Sequence, residues 1–203
     1  MKEQYRLLSI IRNIDPANIC AIVEVLLEEG IRCLEVSLSE PERGFGCLKV
    51  LRQSFKEKDF LLGAGTVSTL SEVDKLKEIG VSFFVTPGFD GALVDYAVQQ
   101  GMKVIPGVLT PSDVQQAKNR GLELVKLFPA NAYPMRYVKD LSGPFPHMRF
   151  MAVGGVGPDN LAGYLAAGFC GVGIGSSLVP QGAGPEQLGG IREAAARCVR
   201  AAY

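Results

Sequence analysis

Short apolar runs recur along the chain at Leu7–Ile11, Cys33–Leu38, Leu61–Val67, Phe83–Thr86, Lys103–Val108, Leu124–Phe128, Phe150–Gly154 and Val172–Gly175. They start about 20 to 28 residues apart and are mostly continuous rather than alternating. Strands of a parallel sheet covered on both faces have this form. Between them the apolar period lengthens to that of a helix. Pro16–Glu29 gathers Ile19, Ile22, Val23, Leu26 and Leu27 on one stripe, with Gly30 at the stop. Ser71–Ile79, Asp90–Gln100, Pro111–Arg120 and Asp159–Ala167 repeat the form, stopping at Gly80, Gly101, Gly121 and Gly168. A terminal helix is expected over Pro185–Ala202. Eight strands with intervening helices predict an α/β chain folded as a (β/α)8 TIM barrel, with residues 1–203 as a single domain. The rival, a doubly wound open sheet, would usually carry a glycine-rich turn after its first strand, and Ile11–Arg12–Asn13–Ile14 has no glycine.

Composition narrows the chemistry. Lysine plus arginine (21) cancels aspartate plus glutamate (21), which argues against a nucleic-acid groove or an anionic membrane as a whole-chain partner. No stretch reaches the roughly 20 apolar residues of a membrane span, and Met1–Tyr5 is too short and polar for a signal peptide. A cytoplasmic location is expected. Five cysteines without a Cys-x-x-Cys pair, and a single histidine, His147, leave no frame for a zinc site or a histidine relay. His147 is expected to face solvent in its proline-rich loop. Acid–base work falls to carboxylates and lysines.

Two ionisable residues interrupt apolar strands, Glu35 in Cys33–Val36 and Lys126 in Leu124–Phe128. The plain alternative is that both point outward or pair structurally. If Val125 and Leu127 face the helices, however, Lys126 faces the interior. Desolvation there lowers a lysine pKa and frees an amine to attack a carbonyl, and a glutamate in the same space can move protons. Lysine plus glutamate without metal is the minimal kit for Schiff-base carbon–carbon chemistry. The last two strands end in Gly154–Gly155 and Gly175–Ser176–Ser177, where barrels commonly cradle phosphate, although each is also ordinary turn chemistry. Thr66 can donate to a carboxylate or simply end its strand. Pro87 and Phe128 can wall a pocket or fill space, and Arg12 can meet an anion or stay at the surface.

The segments Leu34–Leu38, Gly63–Val67, Val85–Gly88, Ile105–Pro111, Val125–Pro129, Gly143–Pro146 and Val153–Val156 together resemble the class I 2-keto-3-deoxy-6-phosphogluconate (KDPG) and 4-hydroxy-2-oxoglutarate (KHG) aldolases, a group that includes 6-phosphogalactonate aldolases. The likeness runs from Leu7 to about Val179. It implies a metal-free, cofactor-free lyase, usually a homotrimer, acting on a phosphorylated keto-deoxy sugar acid and yielding pyruvate and an aldehyde. By resemblance Lys126 forms the imine and Glu35 shuttles protons. Thr66 holds the pyruvyl carboxylate, Pro87 and Phe128 wall the imine, and Gly154, Gly155, Gly175 and Ser176 cup the phosphate. Arg12 falls at the pocket floor. Some members carry arginine where Ser39 stands, so the carboxylate grip must come from elsewhere. Val153 stands before the glycine pair as in galactonate-type relatives, which leaves the 6-phosphogalactonate substrate open. A phosphosugar-binding barrel without imine chemistry is the remaining alternative.

Overall fold

The computed structural model describes residues 4–203. Met1–Glu3, on which the signal-peptide reading in part rests, lie outside the described residues. The strands are β1 (Leu7–Ile11), β2 (Cys33–Ser37), β3 (Leu61–Gly65), β4 (Phe83–Val85), β5 (Val104–Ile105), β6 (Gly107–Val108), β7 (Leu124–Leu127), β8 (Arg149–Val153) and β9 (Gly171–Ile174). All their pairings are parallel, in the order β5-β4-β3-β2-β1-β9-β8-β7-β6.

The two ends of that order are one stretch of chain. Pro106 has no N–H to give the ladder and divides β5 from β6. Its carbonyl still accepts the Lys126 N–H at 2.9 Å. Residues 104–108 therefore pair with β4 on one side and β7 on the other, and the sheet closes as an eightfold barrel. The single run expected over Lys103–Val108 is thus broken once, at its proline.

Helices α1 (Ile19–Glu28), α2 (Pro41–Ser54), α3 (Leu70–Ile79), α4 (Gly91–Gln99), α5 (Pro111–Asn119), α6 (Tyr137–Ser142), α7 (Leu161–Ala167) and α8 (Leu188–Ala202) cover the outside. Gly30, Gly80, Gly101, Gly121 and Gly168, the expected stops, all have positive φ, a conformation open to glycine and costly to other residues. Starts shift slightly. The first turn of α3 is set by Thr69, which accepts the Glu72 N–H while the Glu72 carboxylate accepts the Thr69 N–H, rather than by Ser71.

Strand alternation divides the core into two layers. Leu8, Ile10, Cys33, Phe83, Val85, Ile105, Leu124, Met151 and Val153 fill the barrel interior. Leu7, Ile11, Leu34, Val36, Leu62, Phe84, Val125, Leu127, Phe150 and Val172 face the helices. Glu35 follows Cys33 by two positions and Lys126 follows Leu124 by two, so both belong to the inner wall.

Candidate active site

Glu35 is 2% exposed and Lys126 4%, two of the few buried charged or polar side chains. Both stand among aliphatic neighbours, so each is stripped of most of its water. The strand next to Glu35 makes room for it. A Cβ on Gly65 would lie 1.7 Å from Glu35 Oε1, so the carboxyl occupies the space that a glycine leaves. Glu35 Oε2 is buried with no hydrogen-bond partner in the protein, leaving its lone pairs for a reacting group. Lys126 Nζ lies 4.6 Å from the centroid of the Phe128 ring. Among the described residues, the ion pairs within 4.0 Å are on the surface, and Glu35 with Lys126 is not one of them. Amine and carboxyl sense each other's charge without closing on each other.

A cavity of about 470 Å³ opens at the C-terminal ends of β1, β8 and β9. It is lined by Ile10, Val153 and Gly173 from the strands and by Arg12, Phe128, Gly154, Gly155, Gly175 and Ser176 at its mouth. Gly154 (φ 99°) and Gly155 (φ 72°) are consecutive residues with positive φ, a turn that glycine adopts at little cost. A Cβ on Gly155 would lie 2.6 Å from the Asn131 side chain, so the turn also needs glycine for space. Asn160 fastens this loop: its Oδ1 accepts the Gly157 N–H and its Nδ2 donates to the Gly155 carbonyl, both at 2.9 Å. Ser177 Oγ donates to the Val156 carbonyl at 3.2 Å and ties the two glycine loops together. Asp159 also lines the cavity and is ion-paired with Arg197 of α8.

Six of the ten residues singled out from the sequence thus meet around one cavity (Arg12, Phe128, Gly154, Gly155, Gly175, Ser176), and Phe128 links it to Lys126. Thr66 lies apart from that lining, at the end of β3, with φ 61° and its Oγ1 3.1 Å from Ser37 Oγ. Pro87 is exposed and lines a separate cavity of about 250 Å³ with Val67, Thr86 and Phe89. Thr86 holds it there, because its Oγ1 donates to the Gly88 carbonyl at 2.6 Å and accepts the Gly107 N–H at 3.1 Å. Asn160 and Ser177 were not read as site residues. The signal for Asn160 was its place just before the apolar Leu161 run, a helix-start position.

A protein-family model described as KDPG and KHG aldolase matches residues 1–188. The chain belongs to this aldolase family. It is 34% identical over 182 residues to the 2-dehydro-3-deoxy-6-phosphogalactonate aldolase of Escherichia coli, covering 89% of this chain and 88% of that one. It is also 34% identical over 162 residues to the 2-dehydro-3-deoxy-phosphogluconate aldolase of Pseudomonas aeruginosa, covering 79% and 72%. Among solved structures it resembles a KDPG aldolase from Legionella pneumophila with pyruvate captured as a covalent carbinolamine, with a TM-score of 0.82 and 27% identity over 99% of this chain and 94% of that one.

The electrostatics of the aldolase interior follow from burial. Desolvation pushes the Lys126 amine below the usual lysine range; the Glu35 charge opposes that shift and the Arg12 charge adds to it. Desolvation pushes the Glu35 carboxyl above the usual carboxylate range, against the pull of Lys126 and Arg12. The two pKa values thus move toward each other, which brings both groups nearer to proton exchange at neutral pH. Arg12→Ala tests the arrangement. Removing a like charge makes the Lys126 ammonium easier to form, so its pKa rises and the neutral amine appears only at higher pH. The acid limb of borohydride trapping with pyruvate is expected to move to higher pH; a limb that stays in place or moves down rules out the coupling.

Proposed function

We propose that this aldolase cleaves 2-keto-3-deoxy-6-phosphogluconate, or 4-hydroxy-2-oxoglutarate, through a Schiff base on Lys126. The observation that carries the reading is the buried Lys126 amine, held below its usual pKa on the same inner wall as Glu35. Neutral Nζ attacks C2 of the keto acid. Loss of water, aided by proton transfer through Glu35, gives the protonated imine. Glu35 as carboxylate then takes the C4 hydroxyl proton, directly or through a water. The C3–C4 bond breaks, its electron pair moves to the imine nitrogen, and the aldehyde leaves, glyceraldehyde 3-phosphate in the first case. The enamine takes a proton at C3, and water attacks C2 to release pyruvate and restore the amine. Backbone amides of Gly154, Gly155, Gly175 and Ser176 with the Arg12 guanidinium would bind the phosphate. Thr66 would hold the carboxylate, and Phe128 would pack beside the imine. The carbinolamine in the Legionella pneumophila relative supports the first covalent step.

A second substrate, 2-keto-3-deoxy-6-phosphogalactonate, is favoured by Val153 before the glycine pair and by the long match to the Escherichia coli galactonate enzyme. We propose further that the enzyme works in the cytoplasm as a homotrimer. No helix among the described residues is long and apolar enough to cross a membrane. Pyruvate release measured with lactate dehydrogenase across the three keto acids tests the function and separates the substrates. Turnover is expected on at least one phosphorylated substrate. Release from none of the three would leave a phosphosugar-binding barrel without imine chemistry.

A further inference from the structure

Past Glu35, the inner face of β2 carries one more buried polar side chain, to which the proposed reaction assigns no role. Ser37 is 2% exposed, lies two positions beyond Glu35, and pairs in register with Gly65, the residue against which the Glu35 carboxyl rests. Its Oγ donates to Ser39 Oγ at 3.2 Å, accepts the Ser39 N–H at 3.2 Å, and lies 3.1 Å from Thr66 Oγ1. Ser39 Oγ donates in turn to Asn13 Oδ1 at 3.4 Å. The four side chains form a continuous polar arc across the ends of β1, β2 and β3. Its two ends, Asn13 (φ 55°) and Thr66 (φ 61°), are the non-glycine residues with positive φ among the described residues. A β-branched residue is strained in that conformation and stays there only where its surroundings hold it.

We propose that Ser37 is a positioning residue for this aldolase, one that makes the Thr66 hydroxyl a donor to the carboxylate of the keto acid. The proposal rests on the Lys126 imine and on Thr66 as the carboxylate partner. Ser37 has one hydroxyl hydrogen and two hydroxyl neighbours. Turned toward Thr66, that hydrogen fills a Thr66 lone pair and leaves the Thr66 hydrogen for an anion. Turned toward Ser39, it leaves Ser37 as the acceptor for Thr66, which then shows an incoming carboxylate only lone pairs. An arriving carboxylate selects the first state. The change is the rotation of one buried hydroxyl while the Ser39 N–H bond to Ser37 Oγ persists.

Two keto compounds separate this role from a structural one: pyruvate, and methyl pyruvate, which has the same ketone but no charge on its acid end. Borohydride trapping at Lys126 is measured for each on the full chain. Ser37→Ala removes the bond that anchors Thr66 Oγ1 on its φ 61° backbone, so the Thr66 hydroxyl loses its aim. The pyruvate-to-methyl-pyruvate trapping ratio is then expected to fall about tenfold, the scale of one hydrogen bond to a charged group, with Ser37→Thr restoring it. An unchanged ratio overturns the proposal, as does an equal loss with both compounds. Ser39→Ala, at an exposed position, covers the case in which Ser37→Ala fails to fold. It leaves Thr66 as the only hydroxyl neighbour of Ser37, so half-saturation by pyruvate is expected at lower concentration, and a rise overturns the proposal. If pyruvate fails to label Lys126 in the unsubstituted chain, the imine reading falls first, and this proposal with it.

Discussion

Lys126→Ala is expected to lower pyruvate release on the order of 10⁴-fold or more, the scale seen when a covalent nucleophile is removed. Among the described lysines only Lys126 is buried, so no described amine stands ready to take over. Lys126→Arg should lose as much, because a guanidinium stays charged and cannot attack a ketone. The measurement is the coupled assay, together with intact mass after borohydride and pyruvate: the parent gains one pyruvyl adduct and neither variant does. Circular dichroism separates lost chemistry from lost fold. Turnover of Lys126→Ala within about tenfold of the parent would remove the imine from the mechanism.

Gly65→Ala is expected to lower kcat by roughly 10² to 10⁴, the range for a displaced general acid–base group. The added methyl would lie 1.7 Å from Glu35 Oε1, so the carboxyl must leave its position. Overpacking adds about 1–3 kcal/mol of destabilisation, which thermal melting reads separately from kcat. The effect should also be non-additive with Glu35→Gln: once the carboxylate is gone, moving its amide costs little more in rate. Full additivity, or a parent-like kcat in Gly65→Ala, would show that the position of Glu35 does not matter. Gly63 makes a useful contrast, since a Cβ there meets the Phe83 ring at 2.3 Å and should weaken the fold more than the proton transfer.

Much of this interior was legible in the chain itself. Alternation around Val125 and Leu127 put Lys126 on the inner wall because the strand period is two and the outer layer must be apolar. The glycine stops were legible for a similar reason, since a left-handed helix end selects glycine. Helix α2 was harder to read. Gly44 and Gly46 speak against a helix by local propensity, yet a Cβ on Gly44 would lie 2.7 Å from the Ser37 carbonyl, so tertiary packing requires the glycine that propensity penalises. Helix α6, six residues long, is too short to show a period. Strand β3 was expected to run to Val67 and ends at Gly65, because Thr66 turns to φ 61°. That turn comes from the site and runs against the β preference of threonine. The separate place of Pro87 depends on the bonds of Thr86 to Gly88 and Gly107, which join residues far apart in the chain and leave no local trace.

The mouth of the barrel is built in two halves from different strands. The glycine loops after β8 and β9 form one, and the ends of β2 and β3 form the other. With the phosphate held as proposed, substitutions within residues 153–160 would change which aldehyde fragment fits, while Glu35 and Lys126 stay on other strands. Arg12 is the exception: it lines the first half, and its charge reaches both Glu35 and Lys126. Changes of diet at that one position would retune the chemistry as well.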